Sequence, residues 1–312
     1  MATYTRIESA DMDGILSQYD LGTLFSVEAL KGGQANSSFK VKTSRGAFVL
    51  SICDEKTMAK VFSLTRVLDL LEEHDFLTTR VVKTLNGLSV IDLYGKPVFI
   101  KTYIQGQVPK KTDAGMIFQV GQQLSRLHRI KAPFEMPNQF AYGLQRFAEV
   151  IDSKTDSAYR KWLAAKRDYL RSVITDDLPR SMIHGDLFYD NTLFEGNRLV
   201  AILDFEEVCV YYRAFDIGMC FIGFCAQDNK VSLEKFKAIV AGYQSETLLT
   251  TEEKQQLQAL AVLGATATSF WRFRQYNIIY LGSPLAQTYL QMNQLADQME
   301  AYSKKTFEAA VF

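Results

Sequence analysis

The stretch Ser181-Met182-Ile183-His184-Gly185-Asp186-Leu187-Phe188-Tyr189-Asp190-Asn191, followed by Ala201-Ile202-Leu203-Asp204-Phe205-Glu206, decides how this chain is read. Each segment opens with a short apolar run and then turns polar. Such runs read as buried strands, so the polar residues stand where strands stop, a usual seat of binding and catalytic groups. Asp186, Asn191 and Asp204 are hard oxygen donors delivered to those ends. Together they suit holding Mg2+ and a hydroxyl nucleophile beside a nucleotide phosphate.

Composition narrows the setting. With 312 residues the chain has room for two units, each with its own core. A hydrophobic fraction of 47% and an aromatic fraction of 12% exclude a disordered chain. Lys plus Arg balances Asp plus Glu at 35 each, so no net field recruits nucleic acid or an acidic membrane surface. No apolar run approaches the ~18 residues of a membrane span. The N-terminus also lacks a signal-peptide apolar region. Cys53, Cys209, Cys220 and Cys225 show no zinc-type spacing and sit in apolar segments, as reduced thiols of a cytoplasmic protein do. No Gly-x-x-x-x-Gly-Lys-Ser/Thr occurs, which excludes a P-loop site.

Upstream of the opening stretch the chain reads as a small sheet. Residues 9–19 form a short helix capped by Ser9, with Ile15 and Leu16 on its buried side. Gly32, Gly33, Asn36 and Ser37 lead into a strand alternating Phe39, Val41 and Thr43. A turn at Ser44-Arg45-Gly46 returns the chain through Phe48 to Ile52. The glycine-rich tip is either a plain hairpin turn or a loop whose N–H groups lie over phosphates. From Thr57 to His74, Val61, Leu64, Leu68 and Leu71 recur at helical spacing. Three strands follow over 80–83, 88–93 and 97–104, with turns at Asn86-Gly87 and Gly95-Lys96. The expected boundary falls here: 1–104 is a nucleotide-binding lobe and 105–312 a catalytic and substrate-binding lobe. Thr102, Tyr103 and Ile104 offer backbone groups to an adenine ring, or serve only as a linker.

Beyond the boundary the spacing predicts helices. One runs over 112–129 with Ile117, Gly121, Leu124 and His128 on one face. Another covers 156–174, with Trp162, Ala165, Tyr169 and Val173 as its apolar side. Others run over about 212–225, 231–247, 252–280 and 286–304. The expected class is α+β, with a small β-rich lobe followed by a large helical one.

The pattern His184 to Asn191, with Ile202-Leu203-Asp204-Phe205 and Ala214-Phe215-Asp216-Ile217, resembles the aminoglycoside phosphotransferase and choline kinase superfamily. Within it the chain is most similar to homoserine kinases of the bacterial kinase-fold type. Tyr4-Thr5, Asn36-Ser37-Ser38-Phe39, Phe48-Val49-Leu50-Ser51, Gly121 to His128 and Arg274-Gln275-Tyr276-Asn277 carry that likeness. The resemblance implies a bilobal protein-kinase-like fold with ATP and Mg2+ as cofactors. It implies Asp186 as catalytic base, Asn191 and Asp204 as metal ligands, and His184 and Asp216 as supports of the loop. The implied reaction phosphorylates a small-molecule hydroxyl acceptor, L-homoserine, to O-phospho-L-homoserine, a step of threonine biosynthesis. No nucleic acid or membrane partner is implied, and the oligomeric state is left open.

Two departures from the family pattern stand out. The strand lysine that contacts phosphates is expected within Leu50-Ser51-Ile52, where the chain has Ser51; Lys56 and Lys60 are the alternatives. The acceptor side is also unusual, because Asp204 is followed by Phe205-Glu206-Glu207. These two adjacent carboxylates either hold an acceptor ammonium or form an exposed acidic turn, with Glu206, next to the metal-site strand, favoured for the ammonium and Glu207 for the turn. An acceptor carboxylate calls for a guanidinium, and Arg272 and Arg274, with Tyr276 nearby, are the candidates. A family-like Arg slightly earlier in that helix is Thr268 or Ser269 here. Two other readings stay open. One is a kinase for another amine-bearing alcohol, such as choline, ethanolamine, a hydroxylated amine or an aminoglycoside. The other is a non-catalytic nucleotide-binding protein on a kinase scaffold.

Overall fold

Period-two alternation in three strands builds the core of the N-terminal half. The computed structural model of the chain describes residues 7–30, 36–227 and 229–312, so Gly32, Gly33 and Tyr4-Thr5 lie outside the described residues. The chain divides into two units, Met1–Gly106 with Val200–Leu203, and Gln107–Leu199 with Asp204–Phe312. The first contains helix α1 (Ser9–Leu16), strands β1 (Leu24–Ala29), β2 (Asn36–Thr43) and β3 (Gly46–Cys53), helix α2 (Met58–Glu73), and strands β4 (Val81–Val82), β5 (Ile91–Leu93) and β6 (Lys96–Thr102). These strands form one antiparallel sheet in the order β1-β2-β3-β6-β4, with β5 also paired to β6.

Val41, Leu50, Ile52, Val98 and Ile100 are fully buried and pack with Met12, Ile15, Tyr19 and Leu21 in one cluster. Each large aliphatic side chain so buried contributes roughly 1.5–3 kcal/mol. Strand β1 was not expected from the sequence. Its apolar residues Phe25 and Val27 face solvent at 68% and 38% exposure, so no buried stripe marks it. The cap of α1 is Glu8 rather than Ser9, which is the first residue of the helix. Val200–Leu203, expected in the C-terminal half, belong to the first unit, where the Ile202 N–H donates to the Leu77 carbonyl at 2.8 Å.

The second unit is predominantly helical. It contains α3 (Ala114–Arg129), α4 (Ala148–Ile151), α5 (Ser157–Val173), strands β7 (Arg180–Ile183), β8 (Thr192–Glu195), β9 (Arg198–Ile202, its end counted with the first unit) and β10 (Cys209–Tyr212), and α6 (Arg213–Phe224). Then come the short strands β11 (Ala226–Gln227) and β12 (Lys230–Val231), α7 (Leu233–Gln244), α8 (Thr251–Arg274), a π-helical turn at Gln275–Ile279, α9 (Tyr289–Ala301) and α10 (Lys304–Val311). Helices α3 and α7 pack closely, because a Cβ at Gly121 would overlap the Ile239 carbonyl and one at Gly242 the Phe118 carbonyl. The buried face of α5 is Tyr159, Leu163, Lys166 and Leu170, one position on from the expected stripe. Lys166 occupies a core-facing position because Asp297 and Glu300 take its ammonium, each at 2.5 Å. Among the described residues no helix is long and apolar enough to cross a membrane.

Candidate active site

The loop after β7 is held by one buried carboxylate. Met182 and Ile183 are fully buried, and Gly185 takes φ +82°, a left-handed conformation that suits glycine. The turn aims successive N–H groups inward: His184 N–H donates to Asp216 Oδ2 at 2.6 Å and Gly185 N–H to Asp216 Oδ1 at 2.8 Å. Asp216 lies in the first turn of α6, where the helix dipole favours negative charge. His128 Nε2 reaches Asp216 Oδ2 at 3.2 Å, and His128 Nδ1 meets the Tyr243 hydroxyl at 3.0 Å. His128 lies on the buried face of α3 with Ile117, Gly121 and Leu124, as its spacing predicts, and there it partners the carboxylate that supports the loop. His184 Nδ1 in turn accepts the Asp186 N–H at 3.2 Å. Beneath the loop, a Cβ at Gly223 of α6 would overlap the Leu187 carbonyl, so the helix supports the loop backbone directly.

The loop orients its oxygens. Asn191 Nδ2 donates to the Asp186 carbonyl at 2.8 Å, which turns Asn191 Oδ1 away as the available donor oxygen. Asp204 follows β9 with φ +65°, a conformation Asp tolerates better than most residues. Asp186 is pushed up to about 8, first by burial and then by the charges of Asp204, Glu207 and Asp190, while Arg272 opposes the rise. Three carboxylates therefore act on Asp186 against the Arg272 guanidinium. The hard oxygen set of the site, Asn191 Oδ1 and the Asp204 carboxylate, fits a Mg2+-type cation that also takes phosphate oxygens.

The acceptor side differs from expectation in two places. Within this stretch, Glu207 is a carboxylate that acts on Asp186. Glu207 is half-buried rather than an exposed turn residue, and its Oε1 accepts the Tyr142 hydroxyl at 3.3 Å. Arg272 lies close enough to act on Asp186, whereas Arg274 is turned aside into an ion pair with Glu149 at 3.2 Å. Tyr276 is buried and meets Trp271 edge-on at 5.9 Å between centroids; Trp271 meets Tyr142 in the same way at 6.3 Å. Ser269 is filled in between the Tyr159 hydroxyl and Asn293 Oδ1, so the earlier family-like Arg position is closed by packing. Tyr142 and Trp271 had no sequence signal, since their association depends on segments far apart in the chain.

Within the first unit, Lys56 Nζ donates to Asn36 Oδ1 at 3.4 Å, at the start of β2, whereas Lys60 is exposed on α2. Ser37 Oγ donates to Asp54 Oδ2 at 2.6 Å, and Lys96 pairs with Asp54 Oδ1 at 2.7 Å. Ser51 is buried beside Ser38 Oγ at 3.4 Å. Thr102 is unsuited to an adenine, because its N–H donates to the Arg80 carbonyl and its own carbonyl accepts from Thr79 Oγ1, both at 2.8 Å. Tyr103 N–H is likewise committed to the Ala47 carbonyl at 3.1 Å, and its ring lies under Lys40. The Tyr103 carbonyl and the Ile104 amide are the candidates that this leaves.

Residues 26–249 match the phosphotransferase enzyme family. The homoserine kinase of Bradyrhizobium diazoefficiens (strain USDA 110) is 33% identical over 272 residues, covering 84% of this chain and 83% of that protein. A microcompartment-associated aminopropanol kinase has a similar structure, with a TM-score of 0.72 at 17% identity, covering 95% of this chain and 97% of that one. The amicoumacin kinase hAmiN, solved with AMP-PNP, Ca2+ and Ami, matches with a TM-score of 0.66 at 14% identity, covering 94% and 98%. The α+β architecture of this chain, a β-sheet unit followed by a helical one, is therefore the fold of these two solved structures.

Proposed function

Because this chain belongs to the phosphotransferase enzyme family, we propose that it is an ATP-dependent kinase that phosphorylates the side-chain hydroxyl of L-homoserine. The observation that carries this reading is the loop geometry: Asp186 sits among carboxylates while Asn191 Oδ1 is turned away from the loop backbone. The homoserine kinase relative, aligned over most of both chains, supports the acceptor.

Asp186 accepts the proton of the acceptor hydroxyl as its oxygen forms a bond to the γ-phosphorus. The bond from that phosphorus to the β,γ-bridging oxygen breaks, and ADP leaves. Asn191 Oδ1 and the Asp204 carboxylate would hold Mg2+, which neutralises phosphate charge when bound. Asp216 and His184 fix the Asp186 backbone, so little of the positioning is left to chance during the reaction. On the first unit, Asn36, Ser37 and Lys56 are the candidates for phosphate contact, with Lys56 in the role vacated at Ser51. The Tyr103 carbonyl and Ile104 amide are the candidates for the purine edge.

ADP release is the test. With MgATP, L-homoserine should stimulate it far above the rate with water alone, while choline, ethanolamine and an aminoglycoside should not. Stimulation by one of those amines but not by homoserine would overturn the acceptor.

A further inference from the structure

We propose that Glu207 and Arg272 read the two charges of an α-amino acid acceptor, Glu207 its ammonium and Arg272 its carboxylate, along an aromatic wall of Tyr142, Trp271 and Tyr276. The inference rests on the kinase reading above and names how that site selects its acceptor.

The residues form a continuous chain. The Tyr142 hydroxyl donates to Glu207 Oε1 at 3.3 Å. Tyr142 meets Trp271 edge-on at 6.3 Å, and Trp271 meets Tyr276 edge-on at 5.9 Å. Tyr276 and Arg272 are in turn coupled electrostatically, and both Glu207 and Arg272 act on the Asp186 carboxyl. Charges of opposite sign therefore act on the group assigned to take the hydroxyl proton. An acceptor bearing an ammonium and a carboxylate on one carbon, with its hydroxyl on a short methylene arm, matches that arrangement.

Arg272 shows the clearest mark of an external ligand. Its Nη1 donates to two neutral acceptors, the Thr288 carbonyl at 3.0 Å and Gln291 Oε1 at 3.2 Å. Among the described residues no carboxylate lies within ion-pair distance of it, although Arg274 nearby has Glu149. A half-buried guanidinium held on one nitrogen by neutral groups keeps the rest of its fork for a bidentate carboxylate. The π-helical turn Gln275–Ile279 begins directly after α8, and such turns gather at functional sites. An amino alcohol without a carboxylate would leave this cation unmatched.

The test compares kcat/KM for L-homoserine, for 3-aminopropan-1-ol, which lacks the carboxylate, and for 4-hydroxybutyrate, which lacks the ammonium. Wild type should favour homoserine over either by about 30-fold or more. Arg272→Gln should lower kcat/KM for homoserine by about 30-fold or more beyond whatever it takes from aminopropanol, which shares any loss passed through Asp186. Glu207→Gln should likewise lower kcat/KM for homoserine by about 30-fold or more beyond its effect on 4-hydroxybutyrate. Arg272→Lys and Glu207→Asp, which keep the charges, should fall between and serve if a neutral variant does not fold. Equal losses on all three acceptors would overturn the charge-reading pair while leaving the kinase reading intact. Failure of wild type to phosphorylate any of the three would overturn the kinase reading and this inference with it.

Discussion

Burial, and then the charges of Asp204, Glu207 and Asp190, push the Asp186 carboxyl up to about 8, and a bound cation beside it favours the carboxylate that accepts the hydroxyl proton. Without that cation the folded chain binds a proton between pH ~4 and ~8 that the unfolded chain has lost, so stability falls as pH rises through that window. Asp186→Asn should remove this dependence and raise Tm at pH 8, by about 2–4 °C for each kcal/mol relieved. Thermal melting of both proteins in EDTA from pH 5 to pH 8 checks it. Parallel curves would show that Asp186 is not the group responsible. The same residue scale separates Arg272 from Arg274. Losing the Glu149 pair in Arg274→Met should cost at most about 1 kcal/mol of stability and leave the KM for homoserine within about twofold. A large rise in KM would return Arg274 to the acceptor site.

At the scale of elements, α6 supports the catalytic loop twice, through Asp216 at its start and Gly223 near its end. Gly223→Ala should push the Leu187 carbonyl away, costing about 1–3 kcal/mol of stability and lowering kcat more than it raises KM. Chemical denaturation and steady-state kinetics together check this; an unchanged kcat would mean the loop does not lean on the helix. Legibility in the sequence followed the same elements. The His184 to Asn191 loop could be read because its polar groups are contiguous and follow a buried strand. Helix α5 was misphased because Lys166, a charged residue, fills a core-facing position through its pairing with Asp297 and Glu300. Strand β1 escaped because its apolar side chains are on an exposed edge, leaving no buried periodicity to detect.

For the molecule as a whole, the α+β class and the change from sheet to helices were legible from periodicity alone. The acceptor wall was not, because Tyr142, Glu207 and Trp271 come from three distant segments and meet only through the fold. Assigning Asn191 and Asp204 as metal ligands predicts that nucleotide binding depends on a divalent cation. MgATP at ~100 times its Kd should stabilise the protein by about 2.7 kcal/mol, and most of that should vanish when EDTA removes the metal. ATP that stabilises equally well in EDTA would contradict the assignment of Asn191 and Asp204. The central claim is tested most directly by 31P NMR of the product formed from MgATP and L-homoserine. The account predicts ADP and a new phosphomonoester signal coupled to the homoserine γ-methylene, with both lost in Asp186→Asn. ATP left unchanged by the wild-type protein, or the same product formed at an undiminished rate by Asp186→Asn, would contradict it.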